Sequence, residues 1–410
     1  MQGNVEYNSL EETTTLLLNT IIPSFQEEVC SLSNALGRVL AQEIYAPISQ
    51  PPFNRTPMDG YAVRSADIVR ADKQHPITLK VIEKIFAGTT ARHHISQGEA
   101  IRVFTGAPIP EGADCVVRQE DTDYGTTDVA IYQAGKQGQN ICYCGEDIKA
   151  GKLCIPRGEK LDAVKIGILA MLGIAEISVY KQINVGLLTT GDELININEE
   201  LSRGKIYDSN LYLLSSRLRE LGCIPYIVPR HNDALETLAE DIEKTLQNVD
   251  MLITTGGVSV GEKDYMPLVC RNLNGSIIFK GVKMKPGSPA MAFTFKGKPV
   301  LCLSGNPFAA AATFELLARP IISFFQGIPL KKALLPRTSG YMRTAFSKAS
   351  PGRRLIRGKI EGENVYLPLG GEAIHSSGIL SSMMGCNCMV DIPAGSSALK
   401  IGQKVDVILL

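Results

Sequence analysis

Residues 251–265 read MLITTGGVSVGEKDY. Five strand-forming residues, 251–255, run into a glycine-rich turn and on toward a helix that opens with acidic residues. A strand feeding such a turn and a helix N-terminus is a common phosphate holder. Glycine lets the backbone come close, free N–H groups point outward, and the helix dipole favours an anion. The same loop carries the hydroxyls of Thr255 and Ser259 and the carboxylates of Glu262 and Asp264. Carboxylates repel phosphate unless a hard divalent cation lies between them, so the loop points to phosphate held together with Mg²⁺.

Other readings of the loop are open. Gly256 to Gly261 has Walker A glycine spacing, but Glu262 and Lys263 stand where that motif needs Lys and Ser/Thr. The chain has no GxG pair, which removes a dinucleotide fingerprint. Residues 257–261, GVSVG, fit the GxSxG nucleophile elbow, with Ser259 as nucleophile and His375 as the base by chain order, although no triad acid is evident. A tight strand–helix turn without chemistry is the plain alternative.

Outward from the loop, residues 181–325 alternate strand and helix patterns. NVGLLTT, IPYIV, MLITT and VLCLS read as strands, and NLYLLSSRLREL, ALETLAEDIEKTL and PFAAAATFELLARPIISFF as helices. Repeated units of this kind predict a parallel sheet covered on both faces, with ligands at the C-terminal strand ends. TTGDEL and TTGGVSVGEKD fall at those ends. Residues 75–140 read as short β-runs, and residues from about 330 onward as a β-barrel or small sandwich. Ser9 and Glu12 form a capping-box pattern before an apolar run, and SLSNALGRVLAQEI (31–44) reads as a second helical patch. The helix LDAVKIGILAML stops at Gly173 before the strand AEISVY.

Lys plus Arg and Asp plus Glu are both 42 in 410 residues, so no electrostatic footprint for nucleic acid or an anionic membrane is present. No apolar run approaches the roughly 18 residues of a membrane span, and the acidic N-terminus does not read as a secretory signal. A cytoplasmic protein is the expectation. Ten cysteines are too sparse for a disulfide framework, and the pairs Cys142/Cys144 and Cys386/Cys388 do not have zinc spacing.

Further motifs accompany the loop: MDGYAV (58–63), FTGAPIPEGADCVV (104–117), GEDI (145–148), TTGDEL (189–194), IYDSN (206–210), KPGSP (285–289) and SGNP (304–307). In this order the chain resembles the MoeA family, the molybdopterin molybdenumtransferases, and is similar to the C-terminal domain of gephyrin. The resemblance implies a multi-domain α/β plus β fold. Its parts would be a helical and extended N-terminal linker domain (1–48 and 141–180), an inserted small β module (49–140), a central parallel-sheet α/β molybdopterin-binding domain (181–328) and a C-terminal β-barrel (329–410). It also implies a homodimer with the site where subunits meet, Mg²⁺ as cofactor, adenylylated molybdopterin and molybdate as substrates, AMP as product, and contact with the molybdopterin adenylyltransferase.

Carried over by position, the resemblance assigns Asp59, Thr105, Glu193 and Asp264 to catalysis, with Asp59, Glu193 and Asp264 also holding the metal. It assigns Asp147, Asp208, Gly256, Gly257, Ser259, Lys285 and Ser304 to substrate binding. Lys285 would be the cation for the pyrophosphate or the incoming oxyanion. Asp208 has a second reading, as the cap of the helix after it. Some positions depart from the family. CYCGEDI lacks the usual preceding basic residues, PRHND (229–233) puts Arg230 and His231 where acids are usual with Asp233 displaced, SGNP replaces PGNP, and Ser288 replaces a basic residue. These departures motivate a rival reading, a molybdopterin- or oxyanion-binding paralogue without turnover. A molybdopterin adenylyltransferase is a further rival because that family is similar in the central α/β domain, although the long N-terminal part and the MDGYA and FTGAP segments argue against it. No residue discriminates molybdate from tungstate.

Overall fold

The computed structural model describes residues 7–229, 235–258, 265–370 and 372–410. Ser259 and Asp264, both assigned to the site from sequence, lie outside the described residues, as do Glu262, Arg230, His231 and Asp233.

A six-stranded sheet forms the centre, in the order Ile224–Ile227, Asn184–Thr189, Met251–Thr255, Lys298–Leu303, Met291–Phe295, Ser276–Lys280. The first four strands are parallel. The last two pair antiparallel, so the sheet is mixed where the sequence predicted parallel strands alone. The extra strands come from a hairpin that turns at Lys296 (φ 50°) and Gly297 (φ 78°), the left-handed pair that suits the twist of a two-residue hairpin. Met251–Thr255 is buried along its whole length, as a strand covered on both faces must be. Helices α3 (Ser209–Glu220), α4 (Leu235–Leu246) and α5 (Met266–Asn272) and the strands share two hydrophobic clusters that form the core.

The segment Pro307–Phe325 is long and apolar enough to cross a membrane by composition, contrary to the sequence reading, but 83% of its apolar window is buried in the fold. It is the core helix of the α/β unit, with a π-turn at Phe314–Ala318. There Glu315 faces inward, paired with Arg217 at 2.7 Å and Arg319 at 2.9 Å.

The helix α1 (Leu10–Thr20) carries the full capping box, Ser9 with Glu12. The helix read into residues 31–44 does not form. Ser31 ends the strand Glu27–Ser31, a single 3₁₀ turn follows, and several later amides pair with distant chain. Gly37 donates to Leu161, Leu40 to Glu159 and Ala41 to Ser178. Non-local pairing outweighs local helix propensity there. The β module is a five-stranded sheet, Cys115–Arg118, Gly60–Val63, Glu99–Val103, Ile77–Ile85, Asp128–Ile131, with apolar clusters around its buried side chains. Residues 337–409 close into a barrel around a third type of core, lined by Met342, Phe346, Val390 and Val407.

Candidate functional site

A cleft of about 1440 Å³ opens at the C-terminal ends of the central strands, and the barrel forms its opposite wall. The floor comes from the glycine turn. Thr190 N–H donates to the Thr255 carbonyl at 2.9 Å, and Gly256 N–H donates to the Leu303 carbonyl at 3.1 Å. These bonds draw the ends of three strands together. Gly256 adopts φ +91°, and a Cβ there would meet the Thr190 carbonyl oxygen at 2.5 Å, so only glycine fits. Gly257 follows at φ +66°, and Met266 N–H donates to its carbonyl at 3.1 Å. α5 begins at Met266 with a proline in its first turn, so the described helix starts beyond the acidic residues that the sequence placed at its opening.

Glu193, Asp208, Gly256, Gly257, Lys285 and Ser304 all line this one cleft. Their environments differ. Glu193 is exposed at the rim, and its carboxylate folds back over Gly191. Asp208 is 4% exposed and has both oxygens engaged. One accepts the Leu211 N–H at 3.0 Å, capping α3, and the other accepts the Thr189 hydroxyl. The helix-cap geometry is therefore present, and it ties α3 to the end of the Asn184–Thr189 strand. Ser304 and Asn306 make the turn before α6 (Pro307–Thr313), and Asn210 donates to the Gly305 carbonyl at 2.8 Å.

The facing wall is cationic. Lys283 and Lys285 come from the strap 281–289, and Lys348, Arg353 and Arg354 from the barrel, with the imidazole of His375 beside them. Behind them Arg357 is fully buried. Its guanidinium donates to the carbonyls of Ile374 (2.7 Å), Ser376 (2.7 Å) and Ile379 (3.1 Å) and lies 3.7 Å over the Phe308 ring. Phe308 N–H donates to the Ser377 carbonyl at 2.9 Å. The barrel loop is thus fastened to the first turn of α6. Burial pushes Arg357 down to about 10, which leaves it charged at neutral pH.

His375 stands edge-on to Phe346 with its Nδ1 buried and unpartnered. Burial, followed by the charges of Arg357, Lys348 and Arg354, pushes it down to about 4. It is therefore neutral at pH 7, with cations rather than an acid around it. A hydrolase base needs an orienting acid on Nδ1, and none is supplied there among the described residues.

Three sequence-assigned residues do not line the cleft of the same chain. Asp59 accepts the Thr105 N–H at 2.9 Å and its hydroxyl at 2.8 Å on the β module, and these two bonds hold the carboxylate below its usual range. Asp147 lines a separate shallow depression with Glu146, Lys149 and Lys152. Among the described residues no group of three or more His, Cys, Asp or Glu is placed to hold a metal. Within one chain, Glu193 lines the cleft and Asp59 does not. The donor set still suits Mg²⁺, which binds through one or two carboxylates plus substrate phosphate and keeps several waters.

Sequence reasoning missed the barrel wall. Arg353, Arg354 and Arg357 sit in a β-run whose register cannot be read locally. An arginine at position 357 amid apolar strand residues is the one available signal.

Three family models match in order: the MoeA N-terminal region (domain I and II) over residues 8–173, the probable molybdopterin binding domain over 186–323, and the MoeA C-terminal region (domain IV) over 339–410. A molybdopterin molybdenumtransferase of Staphylococcus epidermidis is 35% identical over 380 residues, covering 92% of this chain and 90% of that protein. One of Staphylococcus aureus (strain COL) is 34% identical with the same coverage. A crystal structure of a molybdopterin biosynthesis MoeA protein from Pyrococcus horikoshii superposes with a TM-score of 0.85 at 28% identity, over 99% of this chain and 100% of that one. A molybdenum cofactor biosynthesis protein from Pyrococcus furiosus, at 16% identity and a TM-score of 0.61, shares the fold.

Proposed function

The chain belongs to the MoeA family, the molybdopterin molybdenumtransferases of molybdenum cofactor biosynthesis, and from that premise we propose that it inserts molybdate into adenylylated molybdopterin in a Mg²⁺-dependent reaction. The phosphoanhydride is cleaved, AMP leaves, and molybdenum stays on the dithiolene. The observation that carries this reading is the pairing of two walls across one cleft. A glycine turn whose Gly256 leaves no room for a side chain faces Lys283, Lys285, Lys348 and Arg354. A polyanionic substrate and a tetrahedral oxyanion are bound by such donors, and phosphoryl chemistry asks for positioning and charge rather than a covalent nucleophile.

In this reading Gly256 and Gly257 let phosphate come close to the turn, the Gly256 N–H itself being spent on the Leu303 carbonyl, with Ser259 beside them. Lys285 and Ser304 hold the oxyanion side. Asp208 positions the loop by capping α3. Glu193 and Asp264 hold the cation and the attacking oxygen. When bound, Mg²⁺ spreads charge off the phosphate oxygens.

Asp59, Thr105 and Asp147 reach the cleft from a partner copy. Two observations support this two-subunit reading. Asp59 is pre-ionised and locked by Thr105 on a surface away from its own cleft. The apolar helix α2 (Ala163–Met171) buries only Leu169 and exposes Val164 (72%) and Met171 (39%), an uncovered face suited to a second copy. The enzyme works in the cytoplasm and takes its substrate from the molybdopterin adenylyltransferase.

The test is incubation with adenylylated molybdopterin, Mg²⁺ and molybdate, following AMP. Release that requires all three supports the reading. Tight ligand binding without AMP release overturns it and favours a non-catalytic carrier.

A further inference from the structure

The strap that carries Lys285 does not belong to the central sheet. It runs between two segments that lie more than 300 positions apart in the chain. On one side is the N-terminal stretch. Lys283 N–H donates to the Asn8 carbonyl at 2.7 Å, Asn8 bridges Val282, and Gly281 (φ +86°) is packed so closely that a Cβ would fall 2.4 Å from the Tyr7 ring. On the other side is the barrel. Lys285 N–H donates to the Arg353 carbonyl at 3.0 Å, and Leu355 N–H donates to the Lys285 carbonyl at 2.8 Å. Val282 and Met284 are buried, which turns Lys283 and Lys285 to the cleft.

One ion-pair network joins the two sides. Arg353 Nη1 donates to both carboxylate oxygens of Glu11, at 2.7 and 2.9 Å. Its Nε and Nη2 donate to Asp391 at 2.8 and 2.6 Å. Asp391 is 8% exposed, and Arg337 approaches the same two acids at 2.9 and 3.4 Å. Arg353 lines the cleft, but all its nitrogens are committed to carboxylates, so it has little left to offer a ligand. A planar guanidinium gripped from both sides is fixed in position and orientation. Its backbone carbonyl is the atom that sets Lys285.

We infer that Glu11, through Arg353, is a positioning residue for the oxyanion subsite: the first helix clamps the barrel so that Lys285 is held facing the cleft. Neither Glu11 nor Arg353 touches the ligand. Each acts through Lys285, and the inference rests on the reading of Lys285 as an oxyanion donor.

The test is calorimetric titration of molybdate into the full chain, as wild type, Lys285→Ala, Glu11→Ala, Glu11→Gln and the Glu11→Ala/Lys285→Ala double variant. Wild type binds, Lys285→Ala weakens binding, and Glu11→Ala weakens it roughly tenfold, a loss within the range of coupled neighbours. Glu11→Gln falls between, because its amide oxygen still accepts from Arg353. The double variant binds no more weakly than Lys285→Ala alone, which a general loss of structure would not produce. Wild-type affinity in Glu11→Ala, while Lys285→Ala has lost it, overturns the inference and leaves the functional reading standing. Additive losses in the double variant overturn it as well. Indifference of Lys285→Ala, or no binding by wild type, defeats the reading of the site and the inference with it. Should Glu11→Ala lose cooperative melting, Glu11→Gln decides by the same criteria.

Discussion

His375 illustrates what a single side chain reports about this cleft. Its imidazole is pushed from an ordinary 6.5 down to about 4 by burial and by three neighbouring cations. A base with a depressed folded pKa is neutral in the native state while the unfolded chain still takes up a proton. Stability is therefore at its full value above pH 6.5 and declines as pH falls from 6.5 toward 4. His375→Gln removes that uptake. Urea unfolding at pH 7 and pH 4.5 is expected to show a smaller drop in midpoint for the variant than for wild type, and equal drops would refute the assignment. At this scale the sequence was half legible. Asp59 and Thr105 were singled out through the family resemblance of their motifs, and the two do meet. His375 was legible only as a rival nucleophile's base, because the cations around it arrive from Lys348, Arg354 and Arg357, whose convergence is tertiary.

Elements were read well where a pattern was long and self-contained, as in α1, α4 and the buried Met251–Thr255 strand. They were misread where partners were distant. Residues 31–44 have helical composition, yet their amides pair with residues 159–178. The Met291–Phe295 hairpin strand was passed over although a Lys–Gly turn separates it from the next strand. The Pro307–Phe325 helix was legible as a helix, but the partners of its one buried acid, Glu315, were not. Glu315 receives Arg217 of α3 and Arg319 at the π-turn, and removing one side of a buried pair strands the other. Glu315→Ala is expected to cost about 3 kcal/mol, measured by urea denaturation at pH 7. A loss within error of zero would show the pair to be solvent-compensated.

For the whole molecule, the residues proposed for catalysis lie in two places. Glu193 lies at the cleft, while Asp59 and Thr105 lie off it on the β module. If the complete site is shared between two copies, inactive variants should rescue each other. Asp59→Asn and Glu193→Gln homodimers are expected to be inactive separately. After mixing, unfolding and refolding together, the statistical heterodimer carries one intact site in two, so AMP release should recover to about a quarter of wild type, by the closed two-fold geometry in which each patch meets its complement. Recovery of nothing would place both residues at the same site of one chain. At this scale the sequence made the order of the domains legible, but not the way the barrel arginines come to face the sheet.

The clamp between Glu11 and Arg353 has a consequence for biogenesis. Arg353 lies 342 positions after Glu11, so the clamp cannot close until the barrel strand that follows the strap has been made. A nascent chain stalled before the barrel would carry the glycine turn and the Asn8 seat of the strap while Lys285 still lacked its anchor on Arg353.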